Sequence, residues 1–214
     1  MRTICVVTAT RAEYGLLRPV VQKLAASSTL QLQLVATGAH LCPRLGETVR
    51  EIEADGVPIA ARLPIFVGDE NEPVAVTIAR TITVFDAYFY AHRPDAVLLL
   101  GDRFEIFAAA TAAAARHIPI AHISGGDVTL GAADEYYRHC ITKMAAVHFP
   151  SCADSAARLV RMGGRPGRRE HPHSAQNEPG RIVQLHRLPA AAALCAGDLP
   201  PRDFCRCRFA CRPE

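Results

Sequence analysis

Three short apolar runs, each followed by a helical pattern, constrain the fold of this chain more than any other feature. They are "TICVVT" (3–8), "AVLLL" (96–100) and "IPIAHIS" (118–124), and none contains Asp, Glu, Lys or Arg. A strand with one face in water alternates apolar and polar side chains. Runs without that alternation predict strands buried on both faces, as in a parallel sheet covered by helices.

The segments between them fit the same scheme. "YGLLRPVVQKLAAS" has Leu17, Val20, Val21 and Leu24 at helical spacing, with Pro19 expected within the first turn or so, where a missing N–H matters least. Leu30, Leu32, Leu34 and Ala36 alternate strictly and predict a second strand, 30–37. Helices are expected at 44–56, closed by Gly56, at 72–94, ending before Pro94, and at 104–117, 134–145 and 152–163, with a short strand at 147–149. Strands alternating with helices of this length predict an α/β fold, a Rossmann-like doubly wound parallel sheet over residues 1–164.

After Gly164 the pattern stops. Residues 165–214 hold seven Pro, nine Arg, no Lys and no Tyr, with no sustained period of 2 or 3.6. The expected reading is an irregular C-terminal tail, disordered or out of frame, in place of a second domain. Residues 1–164 are near neutral, with 15 Lys and Arg against 16 Asp and Glu, so the net charge of +3 comes from the tail. Nucleic-acid binding would rest on that tail alone, whose arginines lack interleaved aromatics, and is not expected. Cys195, Cys205, Cys207 and Cys211 crowd the same segment, but "CRCRFAC" lacks the paired spacing of a structural zinc site. Neither metal nor cofactor enters the reading. Cys5, Cys42, Cys140 and Cys152 are expected to be buried reduced thiols. No stretch approaches the ~20 uninterrupted apolar residues of a membrane helix. The apolar run near the N-terminus breaks after Val7, too short for a signal peptide, so a cytoplasmic location is expected.

Open α/β sheets bind ligands at the carboxyl ends of their strands. Arg11, Asp102, Ser124 and Asp127 follow predicted strands, and Asp134 opens a predicted helix. If the strands are parallel neighbours, these groups meet at one sheet edge. Several carboxylates in one cleft suit proton transfer to and from carbon, because burial and like charges separate their acidities. Arg11 suits a phosphate, and Gly125–Gly126 would let backbone N–H groups approach a ligand. Asp102 and Asp134 could equally cap the helices that follow them. Glu105 and Glu135 read as solvated acids of a first turn, His122 as a satisfied core histidine, and His139 as a surface or ion-pair residue.

"TATRAEYGLLRPV", "GDRFEIFAAATAA", "PIAHISGGDVTLGAADEYYRHCITKMA" and "VHFPSCADSAARLVRMG" together resemble the hydrolysing UDP-N-acetylglucosamine 2-epimerases over about residues 3–163. The resemblance implies the N-terminal half of a two-domain GT-B fold. It implies loss of UDP by elimination across C1–C2 of the sugar, then hydration of the glycal to N-acetylmannosamine, as a first step toward sialic and related acids. The essential acids of the family fall on Asp102 and Asp134, the arginine of its "RH" motif on Arg138, and its diphosphate arginine on Arg11. Many relatives carry a catalytic glutamate where Ser124 stands, so Asp127 or another group would take that role. Many also carry a lysine where Leu16 stands. The family is about twice as long as this chain, which implies a truncated enzyme of weak or absent turnover. The alternative is a non-catalytic half-domain that binds a UDP-sugar or joins an assembly. The expected partner is UDP-N-acetylglucosamine or a related UDP-sugar, with no membrane partner and with homo-oligomer formation possible for the family.

Overall fold

The computed structural model describes residues 1–67 and 72–163. Six strands, β1 (Arg2–Thr8), β2 (Leu30–Thr37), β3 (Ile59–Leu63), β4 (Ala96–Leu100), β5 (Ile120–Ile123) and β6 (Val147–Phe149), form one sheet. The helices are α1 (Arg11–Ala25), α2 (Val49–Ala54), α3 (Val74–His92), α4 (Phe104–Ala115), α5 (Asp134–Met144) and α6 (Ala153–Arg161). Strand order is β3-β2-β1-β4-β5-β6, and every neighbouring pair is parallel. The order reverses between β1 and β4, so the connections leave these two strands in opposite directions and open a crevice at their carboxyl ends.

The unbroken apolar runs have the predicted cause. In β1, Ile4 and Val6 face a core shared with Tyr14, Leu17, Val20, Val21 and Leu24 of α1 and Ile52 of α2. Cys5 and Val7 point to the opposite face, where Phe85 and Phe89 of α3, Ile106 of α4 and Ile141 of α5 close over the sheet. Successive side chains of one strand thus enter two different cores. Helix α3 has the length and apolar character of a membrane-crossing segment. Here its buried residues Thr77, Thr81, Phe85, Tyr88 and Phe89 form its inner side, with Phe85, Tyr88 and Phe89 in the second core. Its outer side carries Asp86 in an ion pair with Arg116, at 2.5 Å.

Several elements differ from expectation. Helix α1 starts at Arg11, so Pro19 lies inside it rather than in its first turn. The start is set by a capping box. The Thr10 hydroxyl accepts from the Glu13 N–H at 3.3 Å, and the Glu13 carboxylate accepts from the Thr10 N–H at 3.3 Å. The helix expected at 44–56 is reduced to α2, because Gly46 takes a left-handed φ of +91° and breaks the periodic segment. Strand β3 was not expected at all. It is an edge strand bounded by Pro58 and Pro64, in which half-buried Ile59, Ala61 and Leu63 alternate with exposed Ala60 and Arg62. The expected irregular tail, residues 165–214, lies outside the described residues.

Candidate active site

The loop leaving β4 builds the centre of the crevice. Gly101 has a φ of +83°, a conformation that favours glycine, and it turns the chain so that Asp102 follows at once. Asp102 caps nothing: the N-cap of α4 is Arg103, without a side-chain cap bond. The Asp102 carboxylate instead accepts from the Arg138 guanidinium of α5. The Arg138 side chain is 8% exposed and that of Asp102 is 21% exposed, so the pair sits at the crevice floor with the carboxylate toward solvent. Arg138 also donates to the Thr129 hydroxyl at 2.8 Å. Its Nε and Nη1 are buried with no hydrogen-bond partner among the described residues, and burial lowers its pKa.

Asp134 stands half-buried at the first position of α5, with Ala133 as the N-cap, so it too is no side-chain cap. Its charge acts on Arg103, whose guanidinium lies between three acids. Arg103 donates to Glu105 at 2.9 and 3.2 Å and approaches Glu13 at 4.0 Å. Glu105 is therefore a fully buried, ion-paired carboxylate and not a solvated one: the first turn of α4 faces the sheet, and Arg103 compensates the charge. Glu135 is half-buried, accepting from the Thr129 N–H at 2.9 Å on one oxygen, while His139 Nε2 lies 3.3 Å from the other.

Glu13 and Arg103 were not singled out from the sequence. Glu13 Oε2 accepts from the Ala9 N–H at 2.7 Å, while Oε1 is buried without a hydrogen bond. Burial pushes its pKa up to about 7; the Ala9 N–H opposes that rise, Glu105 adds to it and Arg103 opposes it. The Thr-x-x-Glu spacing directly after a strand signals the cap, but the burial follows only from the sheet above it.

The remaining expected residues lie around this centre. Arg11, the first residue of α1, is 74% exposed and pairs with Glu51 of α2 at 2.8 Å. Ser124 follows β5 with a left-handed φ of +62°, and its N–H donates to the Phe149 carbonyl at 2.9 Å. Asp127 is turned to the start of α6, where it accepts from the Ser151 and Ser155 hydroxyls, each at 2.5 Å. The two glycines answer to packing. A Cβ on Gly125 would lie 2.9 Å from His122 Nδ1, and one on Gly126 would lie 2.6 Å from the Ser155 carbonyl. Cys5 and Cys42 are buried as expected, whereas Cys140 and Cys152 are exposed, on the outer side of α5 and at the start of α6. Among the described residues no group of three His, Cys, Asp or Glu side chains could hold a metal ion.

A parallel sheet with this strand order and helices on both faces defines a Rossmann-like α/β domain, and its solved structural neighbours include GT-B 2-epimerases. Residues 22–168 match the family described as UDP-N-acetylglucosamine 2-epimerase, and the chain belongs to that family. Over 163 residues it is 39% identical to a GDP/UDP-N,N'-diacetylbacillosamine 2-epimerase (hydrolyzing) of Campylobacter jejuni, covering 76% of this chain and 42% of that one. Over 164 residues it is 41% identical to a UDP-N,N'-diacetylbacillosamine 2-epimerase (hydrolyzing) of Legionella pneumophila, covering 76% and 43%. The solved UDP-GlcNAc 2-epimerase of Neisseria meningitidis, bound to UDP-GlcNAc, superposes with a TM-score of 0.67 at 24% identity, covering 76% of this chain and 44% of that one. The chain thus spans less than half the length of the curated relatives it matches.

Proposed function

We propose that this chain carries the sheet-edge acids of a hydrolysing 2-epimerase acting on a UDP-linked 2-acetamido sugar, UDP-N-acetylglucosamine or its diacetamido relative. The observation that carries this reading is the Asp102–Arg138 pair at the β1/β4 switch point, with Asp134 and Arg103 beside it. Residues 1–164 act as one domain of the enzyme.

The reaction has two halves. A base removes the C2 proton while the C1–O bond to UDP breaks, leaving a 1,2-glycal and UDP. Water then adds across the double bond, with hydroxyl to C1 and a proton to the other face of C2, giving the epimeric free sugar. Asp102 and Asp134 are the acid and base candidates, since carboxylates of unlike surroundings can hold unlike protonation states. Arg138 fixes Asp102 and offers buried N–H groups to developing negative charge. Arg11, released from Glu51, is placed at the start of α1 where an anion is favoured. The N–H groups of Gly125 and Gly126 line the β5 turn for the sugar, and Ser124, whose N–H is held by the Phe149 carbonyl, offers its hydroxyl. Serine is no base without a partner, so the role held by glutamate in relatives passes to Asp127 once it exchanges its two serine hydroxyls for substrate. The reading includes a cytoplasmic location with no membrane or nucleic-acid partner, and leaves a homo-oligomer open.

The full chain incubated with each UDP-sugar tests the proposal by UDP release. Release with formation of the 2-epimer supports it. Saturable binding without release favours the non-catalytic alternative. Neither binding nor release sinks both.

A further inference from the structure

The crevice acid is held from two directions, and one of them runs through a residue with no assigned role. His122 of β5 is fully buried, and its Nε2 lies 2.8 Å from the Gly101 carbonyl. A carbonyl only accepts, so Nε2 carries the proton and Nδ1 the lone pair. Nδ1 in turn accepts from the Thr142 hydroxyl, at 3.3 Å. Burial lowers the His122 pKa to about 4, the neighbouring His148 adds to the fall, and the ring is neutral near pH 7.

Thr142 and Arg138 lie four residues apart on α5, on one face and one turn apart. Arg138 holds the Asp102 carboxylate, and Thr142 holds the imidazole that holds the carbonyl of the residue before Asp102. The Gly101 N–H is bound as well, to the Ile123 carbonyl at 3.1 Å. The result is a closed ring: Gly101, Asp102, Arg138, one turn of α5, Thr142, His122 and Gly101 again. Gly125 passes over the His122–Thr142 contact so closely that a Cβ would lie 2.9 Å from the ring nitrogen and 3.1 Å from the hydroxyl. That close approach gives the first glycine of "SGGD" its own reason.

We infer that His122, buttressed by Thr142, is a positioning residue that aims the Asp102 carboxylate by clamping the Gly101 carbonyl. The inference rests on the proposed role of Asp102 for its functional consequence, but its geometry stands without it. A side chain that only filled the core would be replaceable by any group of equal volume. A clamp needs a donor at the Nε2 position, which glutamine supplies and asparagine, one methylene shorter, does not.

The test uses the full chain with His122→Gln, His122→Asn and Thr142→Val. In the wild type, imidazole ¹⁵N spectra show the Nε2–H tautomer from pH 5.5 to 8. His122→Asn displaces the Asp102 amide and Arg138 side-chain N–H resonances, Thr142→Val displaces them less, and His122→Gln returns them to the wild-type positions. In turnover, His122→Asn lowers kcat for UDP release roughly 10- to 100-fold with KM nearly unchanged, and His122→Gln recovers most of it. An Nδ1–H tautomer, or Asp102 and Arg138 signals indifferent to His122→Asn, overturns the clamp. A wild type that releases no UDP yet shows the full resonance pattern removes the proposed reaction and keeps the clamp.

Discussion

Glu13 offers a thermodynamic test of the crevice that needs no substrate. Its side chain is 7% exposed, and burial raises its pKa from the ordinary 4.5 to about 7. The folded protein therefore keeps a proton that the unfolded chain gives up between these values. Stability from this group is full below pH 4.5, falls as pH rises toward 7, and then levels off. A rise of that size corresponds to roughly 3 kcal/mol at its upper limit. Glu13→Gln keeps an acceptor for the Ala9 N–H and removes the titration. Urea unfolding followed by circular dichroism, at half-unit steps from pH 4 to 8, measures both proteins. The variant gains on the wild type by up to about 3 kcal/mol between pH 4.5 and 7.5. His40 and His122, whose pKa values burial lowers, contribute the opposite slope, but equally to both proteins, so the difference isolates Glu13. A difference flat to within about 0.5 kcal/mol, or one growing toward acid, refutes the buried, protonated Glu13.

Gly126→Ala should destabilise by more than about 2 kcal/mol in the same assay, since a φ of +81° and a carbonyl 2.6 Å away leave no room to yield; a neutral result would mean the α6 contact is misplaced. Asp102→Ala strands the buried Arg138 and should cost roughly 2–4 kcal/mol, with Asp102→Asn costing less than half of that because it keeps an acceptor. Iodoacetamide followed by peptide mapping should modify Cys152 faster than Cys140, because the Ser155 hydroxyl stabilises its thiolate, and leave Cys5 intact. Equal labelling of Cys5 and Cys152 would contradict the two-sided burial of β1.

Much of this arrangement was legible because it is topological. Parallel strands bring every residue that follows a strand to one edge, so Arg11, Asp102 and Ser124 could be placed there from the apolar runs alone. What followed from neighbours distant in sequence was not legible. Glu105 reads as a surface acid until the sheet encloses it beside Arg103, and the serine hydroxyls that hold Asp127 at the start of α6 come from 24 and 28 residues further on. The α1 start was visible in Thr-x-x-Glu, yet helical spacing alone suggested a later start and misplaced Pro19. Strand β3 escaped because it is short and one of its two outward positions, Ala60, is itself apolar, so the alternation of Ile59, Ala61 and Leu63 does not stand out in the sequence. His122 was correctly read as a satisfied core histidine, but its partners come from the residues after β4 and from α5.

The central claim is that carboxylates at this sheet edge move a proton at C2 of a UDP-sugar. The most direct measurement is conversion of UDP-N-acetylglucosamine, and of its diacetamido analogue, by the full chain in D₂O, with mass analysis of the released sugar beside Asp102→Asn. The account predicts one deuterium at C2 of the 2-epimer from the wild type and none above background from the variant. Released sugar without deuterium, or deuterium entering equally with Asp102→Asn, would contradict it.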